Sequence, residues 1–175
     1  MAQPSAASSL VWTRPERLSE HFELRGADGP IATLTFDPRP TVAWEYTARH
    51  EATAAAGDAR WRLAVVRRGF LGLKADVHVG GANEGMLGAG YFLRNAIVDV
   101  SGLPPYSWDG SVTRNSSDVF VHPEGFPALR FEHGEYFDRV NAHVTVLFDA
   151  MPPRDVVLLA TLGLYLRLLM NKVYR

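Results

Sequence analysis

The segment VVLLATLGLYLRLLM, residues 156–170, decides the fold, because the helix that it predicts is apolar on nearly every face. A helix without a polar face must be buried on all sides. Asp155 is a suitable N-cap, so the helix is expected over about residues 155–171. Crossing a bilayer takes about 20 apolar residues, whereas Arg167 interrupts this run after 11 residues. We therefore predict a helix threaded through protein, with a membrane tail anchor and an interfacial helix as the alternatives.

The chain before this helix has the pattern of consecutive antiparallel strands. From about Leu18 to Asp149 it carries short runs rich in Val, Phe, Thr, Tyr and Trp, separated by turn residues. Residues 28–30 (Asp-Gly-Pro) and 124–127 (Glu-Gly-Phe-Pro) are predicted to form the turns of two hairpins. About ten to twelve strands with short connections predict a closed or nearly closed barrel, or a sandwich. Other predicted strands are Val42–Ala48, Arg60–Arg67, Lys74–Val79 and Ala142–Phe148.

The length and composition predict a single globular domain. The chain has 175 residues and a mass of 19.4 kDa, and chains below roughly 250 residues rarely form more than one hydrophobic core. Apolar residues make up 47% of the chain and charged residues 21%, which is typical of a globular protein rather than a disordered one. We expect residues 1–17 to form a flexible lead and residues 18–175 to form one barrel domain.

The order of these elements resembles the tubby-like barrel superfamily, which includes tubby C-terminal domains, LURP-one-related proteins and phospholipid scramblases. The resemblance covers about Leu18 to Met170, and it rests on the turn-separated hairpins and the apolar tail that begins at Asp155. It implies an antiparallel barrel of about twelve strands around a hydrophobic central helix. Scramblases carry a palmitoylated cysteine cluster that this chain lacks, so scrambling activity is not implied. Tubby domains bind phosphoinositides through basic side chains, and no position here matches those residues.

The charge balance and the absence of cysteine exclude several classes of function. The chain has 18 basic and 19 acidic residues and a formal net charge of −1, which makes nucleic acid an unlikely partner. Without cysteine it has no disulfide, no thiolate metal site and no cysteine nucleophile. No segment combines the basic start and apolar stretch of a secretory signal, so we expect a cytoplasmic protein, either free or peripheral to a membrane.

The densest positive stretch is a candidate surface for anions or lipid. No acidic residue lies between Asp58 and Asp76. If Arg60 and Arg62 share a strand face, and Arg67 and Arg68 occupy the adjoining turn, these four arginines form a basic edge. Such an edge attracts anionic headgroups. Phe70 and Leu71 beside them suit contact with a membrane, while the alternative is a solvated strand face paired with nearby carboxylates. The five basic residues are Arg60, Arg62, Arg67, Arg68 and Lys74.

The histidines offer a candidate enzyme site. Asp76 and His78 share one face if their segment is a strand, which suits a carboxylate–imidazole pair. His122, His133 and His143 follow on successive predicted strands or turns, and their convergence would create a metal or hydrolase site. No HExxH or comparable ligand spacing occurs, however, so ordinary surface or hydrogen-bonded histidines are the alternative.

The glycine-rich residues 80–90 are a candidate for a phosphate-binding loop. Such a loop must join a strand to the N-terminus of a helix, whereas here Tyr91–Leu93 follows and is predicted to be a strand. A hairpin connection, or glycines at a corner where barrel strands bend, is therefore expected instead.

These observations favour a mainly β protein, an antiparallel closed barrel around its C-terminal helix, that acts as a non-catalytic binding or scaffold module. Because the helix fills the barrel, binding is expected on the outer surface or loops. One alternative is a peripheral protein that binds anionic lipid through the basic edge. The other is a small hydrolase or metal-dependent enzyme that uses the histidines. We predict no cofactor, metal or catalytic residue, and the expected partners are anionic headgroups or another protein.

Overall fold

A computed structural model describes residues 9–16, 19–37, 51–68, 74–90, 94–110, 117–133 and 140–173. Within these residues twelve strands precede one helix. The strands are β1 (Ser9–Thr13), β2 (His21–Gly26), β3 (Gly29–Phe36), β4 (Ala52–Ala56), β5 (Ala59–Arg68), β6 (Ala75–Gly81), β7 (Gly85–Ala89), β8 (Asn95–Val100), β9 (Ser107–Asp109), β10 (Asp118–Val121), β11 (Pro127–His133) and β12 (Val140–Val146), and the helix is α1 (Pro153–Val173).

The strands form a closed antiparallel barrel. Each strand pairs with its neighbour in the sequence, and β1 closes the ring by pairing with β12. Both predicted hairpins are present, and their turns place Gly29 at φ 124° and Gly125 at φ 91°, values that favour glycine. The prediction of a closed barrel is therefore confirmed, and the sandwich is excluded because the first and last strands are joined.

Side chains alternate between the interior and the outer wall along each strand. In β5, Trp61, Leu63 and Val65 are buried, whereas Arg60 and Arg62 are exposed. This is the period of two that a strand imposes on a sequence with one apolar face. The inward-facing residues of all twelve strands therefore line one continuous apolar interior.

Helix α1 fills this interior. All residues from Leu158 to Leu166 are buried, which covers every face of more than two helical turns. The helix contacts several strands of the ring. Trp12 on β1 donates its indole N–H to the carbonyl of Ala160 at 3.1 Å, and Tyr165 stacks on Phe36 of β3 with ring centroids 5.4 Å apart. The prediction of a buried helix is thus confirmed.

The start of α1 is fixed to the turn between β6 and β7. Arg154 donates hydrogen bonds to the carbonyl of Ala82 at 2.8 Å and to the side-chain oxygen of Asn83 at 3.0 Å. The helix begins at Pro153, a residue suited to the first helical position, so Asp155 lies in the first turn rather than at the N-cap. Among the described helical residues, no segment combines the length and hydropathy that a membrane crossing requires.

Three strands differ from the sequence-based expectation. The barrel begins at Ser9, so β1 lies inside the segment predicted to be a flexible lead, before the expected boundary at residue 18. β4 and β7 are strands that the sequence analysis did not predict, because alanine, glycine and methionine dominate them. The predicted strands Val42–Ala48 and Tyr91–Leu93 lie outside the described residues.

A glycine allows a close approach between α1 and the barrel wall. A Cβ built on Gly163 would lie 2.7 Å from Cε2 of Phe131 on β11 and closer still to Cζ. The Phe131 ring is fully buried and packs edge-to-face against Trp108 at 5.3 Å and Phe120 at 6.0 Å, so these rings restrict its movement away from the helix. Gly163 therefore sets how near the helix lies to β11.

We expect Gly163→Ala to destabilise the protein, although alanine favours a helix over glycine by about 1 kcal/mol. The overlap with Phe131 is an overpacking that costs about 1–3 kcal/mol, and it outweighs the gain in helix propensity. Denaturant unfolding of the wild type and the variant measures the difference. In a Phe131→Leu background the same substitution is expected to cost less, and an equal cost in both backgrounds would contradict the proposed contact.

Candidate functional site

Among the described residues, an ion pair inside the barrel joins the wall to the helix. Asp118 on β10 is fully buried, and its Oδ2 lies 3.0 Å from Nη1 of Arg167 on α1. Burial lowers the pKa of Arg167, and the charge of Asp118 opposes that shift. The remaining buried polar side chains of the described residues, Asn83 and Thr161, hydrogen-bond within the protein. The interior is thus occupied by the helix, with the indole N–H of buried Trp108 left without a hydrogen-bond partner among the described residues, and this occupancy directs the search for a site to the outer wall.

The five basic residues of the candidate surface lie along β5 and at the start of β6. Arg60 and Arg62 share the outer face of β5, as predicted. Arg67 and Arg68 continue the same strand, opposite Asp76 and Ala75 of β6, rather than occupying a turn. Lys74 is exposed just before β6. The side chain of Arg68, and Phe70 and Leu71, lie outside the described residues.

Two of these arginines are held by groups of the protein itself. The guanidinium of Arg60 donates to the carbonyls of Gly57 at 2.6 Å and Ala59 at 2.9 Å. Arg62 forms an ion pair with Glu51, and the hydrogen bond to this carboxylate, followed by its charge, raises the pKa of Arg62. Arg62 therefore fits the alternative interpretation of this stretch, a solvated strand face paired with a nearby carboxylate.

Arg67 differs from Arg60 and Arg62. It is exposed and makes no hydrogen bond or ion pair within the described part of the chain, even though Asp76 stands opposite it on β6. The register between β5 and β6 shifts between Val65 and Arg67. This β-bulge leaves Val66 57% exposed, directly beside the cation. Sequence analysis missed Val66, because a bulge depends on the pairing partner and leaves no local pattern.

The histidines whose side chains are described do not converge. His78 lies 3.2 Å from Glu84 rather than pairing with Asp76. His143 is exposed on β12, six places from β6 in the ring of twelve strands and therefore on the opposite side of the barrel. His21 contacts the hydroxyl of Thr35 at 2.8 Å.

No group of three potential metal-ligating side chains occurs among the described residues. His50 and the side chain of His133 lie outside them. The described residues therefore contain no cluster that could form the predicted enzyme site. The enzyme alternative stays a prediction.

His122 belongs to an aromatic cluster at the end of the barrel where α1 begins. Its ring stacks on Phe126 with centroids 4.5 Å apart, meets Tyr106 edge-on at 5.4 Å and lies 5.6 Å from Phe148. These four rings come from the connections that precede β9, β11 and α1. They pack on one another, so they close this end of the barrel rather than line a cleft.

Burial perturbs two ionisable groups here, Tyr106 in this cluster and Asp155 close to it. Burial raises the pKa of Tyr106, and the charge of Asp155 raises it further. Burial also raises the pKa of Asp155, against the opposing effect of Arg154. Both shifts follow from packing at the start of the helix.

The glycine-rich stretch forms the hairpin of β6 and β7. Gly81 has φ 110°, and residues 82–84 make the connection. Asn83 in this connection accepts the indole N–H of Trp61 at 3.2 Å and donates to the carbonyl of Ser101 at 2.6 Å. The stretch therefore joins two strands and ties them to β5 and the end of β8, which confirms the hairpin and leaves no phosphate-binding loop here.

Comparison with known proteins gives no relative from which a function can be transferred. No family model matches the chain, and neither the curated proteins nor the solved structures contain a match to it.

We expect the loss of either partner of the ion pair between Asp118 and Arg167 to destabilise the protein more than the loss of both. Removing one partner leaves a buried charge without compensation, so Asp118→Leu or Arg167→Met is expected to cost about 3–5 kcal/mol. The double variant is expected to be more stable than either single variant, because it removes both charges. Denaturant unfolding of the four proteins tests this, and single variants that match the wild type would contradict it.

Proposed function

We propose that this protein is a non-catalytic binding module with a tubby-like barrel, and that it binds its partner on its outer surface. The observation that carries this proposal is the occupancy of the interior, where α1 is buried from Leu158 to Leu166. Barrels that bind small lipophilic ligands do so in an open interior. Here the place of such a ligand is taken by the protein's own helix.

The tubby-like assignment is supported by the order and the packing of the elements. Twelve antiparallel strands close on themselves, and one apolar helix that follows them in sequence lies inside. Since no family model and no solved structure matches the chain, this assignment rests on the architecture alone. Architecture does not specify a ligand, so the choice of partner depends on the outer wall.

We expect the wild-type interior to exclude apolar ligands and Leu162→Ala to admit them. Leu162 is fully buried on α1, and its truncation is expected to cost about 2–5 kcal/mol and to leave an apolar cavity. Such cavities bind small probes such as benzene. Thermal unfolding with and without benzene is expected to show stabilisation of the variant only. Stoichiometric binding of benzene or a fatty acid by the wild type would contradict a filled interior.

Peripheral binding to anionic lipid is a second candidate, which Val66 and Arg67 favour. An exposed apolar side chain beside a cation is the combination that peripheral proteins use at a membrane surface. Arg60 and Lys74 lie on the same strand or next to it and add positive charge. Arg62 contributes less, because Glu51 pairs with it.

We expect the full-length protein to float with vesicles that contain phosphatidylserine, and to be released by high salt. Each basic residue near an anionic surface contributes about 1 kcal/mol, so Arg67→Gln is expected to weaken binding about fivefold. Val66→Ser is expected to weaken it by the same factor at every salt concentration where binding is measurable, since its contribution is apolar. Vesicle flotation over a range of lipid concentrations gives the partition coefficients.

Arg25→Gln provides the matched control for this experiment. Arg25 is an exposed arginine on β2 that pairs with Glu23 at 2.8 Å, away from β5. Its substitution changes the net charge by the same amount and is expected to leave flotation unchanged. Equal losses for Arg67→Gln and Arg25→Gln would show an attraction to overall charge, and would contradict a lipid surface centred on Val66 and Arg67.

A further inference from the structure

A histidine side chain is part of the turn between β10 and β11. Residues 122–126 make this connection. The backbone N–H of His122 donates to the carbonyl of Phe126 at 2.9 Å, and its carbonyl accepts the N–H of Gly125 at 2.8 Å. The side chain adds a third bond, because Nδ1 of His122 accepts the backbone N–H of Glu124 at 3.2 Å. The imidazole therefore stabilises the backbone of its own turn.

The donor of this third bond fixes the protonation state of the ring. A backbone N–H can only donate, so Nδ1 of His122 must be the acceptor and carries no proton. The proton of the neutral ring then lies on Nε2. An imidazolium carries a proton on both nitrogens, so turning the ring over does not restore an acceptor. The hydrogen bond from Glu124 therefore exists only while His122 is uncharged.

The same ring is a member of the aromatic cluster that closes this end of the barrel. It stacks on Phe126 with an angle of 12° between the ring planes. Tyr106 and Phe148 contact it at centroid distances of 5.4 Å and 5.6 Å. Rotation of the imidazole about its bond to Cβ changes the plane of the ring. Any such rotation away from Glu124 therefore breaks the stack on Phe126.

The elements that carry the cluster also carry charged residues. These are Glu124 in the turn, Asp149 after Phe148, and Arg154 and Asp155 in the first turn of α1. The three carboxylates attract an imidazolium, whereas the guanidinium repels it. Arg154, however, donates to the turn between β6 and β7, and the charge of Asp155 raises the pKa of Tyr106, which contacts the ring. On balance these groups favour a proton on His122 in acid.

We propose that His122 is a pH-dependent switch for this end of the barrel. While the ring is neutral, it accepts the N–H of Glu124 and the turn is closed. Protonation places two donors against each other, so the ring moves away from Glu124 and leaves the stack on Phe126. Histidine side chains change charge between about pH 5 and pH 8. The closed turn is therefore the state at the upper end of this range, and the open turn is the state at the lower end.

The open state exposes apolar surface next to the start of α1. Phe126 and Phe148 contact each other at 4.9 Å, and both lose the imidazole that packs on them. The change is local, because the backbone N–H of Leu147 stays bonded to the carbonyl of Ala128 at 2.8 Å and β10 stays paired with β11. This inference goes beyond the proposed function and does not depend on lipid binding.

Nuclear magnetic resonance of the full-length protein tests the switch. At about pH 8 the ring proton of His122 is expected on Nε2, as the ¹⁵N shifts of the two ring nitrogens report. Between about pH 8 and pH 5 the amide of Glu124 is expected to lose about tenfold of its protection against exchange with water, after correction for the intrinsic pH dependence. Binding of the dye ANS, which reports exposed apolar surface, is expected to rise over the same range.

Two variants separate this switch from a general effect of acid. In His122→Asn the side-chain oxygen can accept the N–H of Glu124 in the same turn, and it does not titrate. Both readouts are therefore expected to be independent of pH in this variant. His143→Asn is the matched control, because it removes an exposed histidine on β12 and is expected to respond to pH like the wild type.

Each of several results would overturn the inference. A ring proton on Nδ1 of His122 at about pH 8 would show that the hydrogen bond from Glu124 does not form. Unchanged protection of Glu124 in the wild type would show that protonation leaves the turn closed. A loss of protection without added ANS binding would contradict the exposure of Phe126 and Phe148. A pH response in His122→Asn equal to that of the wild type would assign the change to other groups.

Discussion

The rest of the structure depends on one constraint, the burial of a helix that has no polar face. In water α1 would expose apolar surface in every direction, and each of its leucines gains about 1.5–3 kcal/mol from removal to an apolar environment. A single flat sheet covers only one side of such a helix. A closed ring of strands covers all sides at once, and it also leaves no strand edge unpaired. The barrel and its helix are therefore stable only together.

The polar contacts of the helix fix its position rather than supply most of the stability. Apolar packing alone would tolerate rotation or sliding of α1, because its faces are chemically similar. Three contacts at different heights remove this freedom: Arg154 with Asn83 at the start, Trp12 with the backbone of Ala160 in the middle, and Arg167 with Asp118 near the end. Gly163 adds a steric constraint, because only one orientation of the helix places this glycine, which has no side chain, against the Phe131 ring.

The predictable parts of this protein are those that local chemistry determines. The apolar run of α1 and the Asp-Gly turn before β3 each carry their own signal, so both were predictable from sequence. β4, with the sequence ATAAA, was not, because its alanines are small to suit the interior and have low strand propensity. The basic residues of β5 were found as a run of charges. The pairing of Arg62 with Glu51 and the bulge at Val66 depend on strand register, which a sequence does not reveal.

The position of α1 after all twelve strands has a consequence for biosynthesis. A ribosome releases the chain from its N-terminus, so the inward faces of the strands emerge before the helix that covers them. β1 likewise emerges long before β12, its partner in closing the ring. Closing the ring and burying the helix therefore join segments far apart in the chain, which slows folding. Until translation passes α1, the nascent protein presents an uncovered apolar wall, and in this interval it depends most on chaperones.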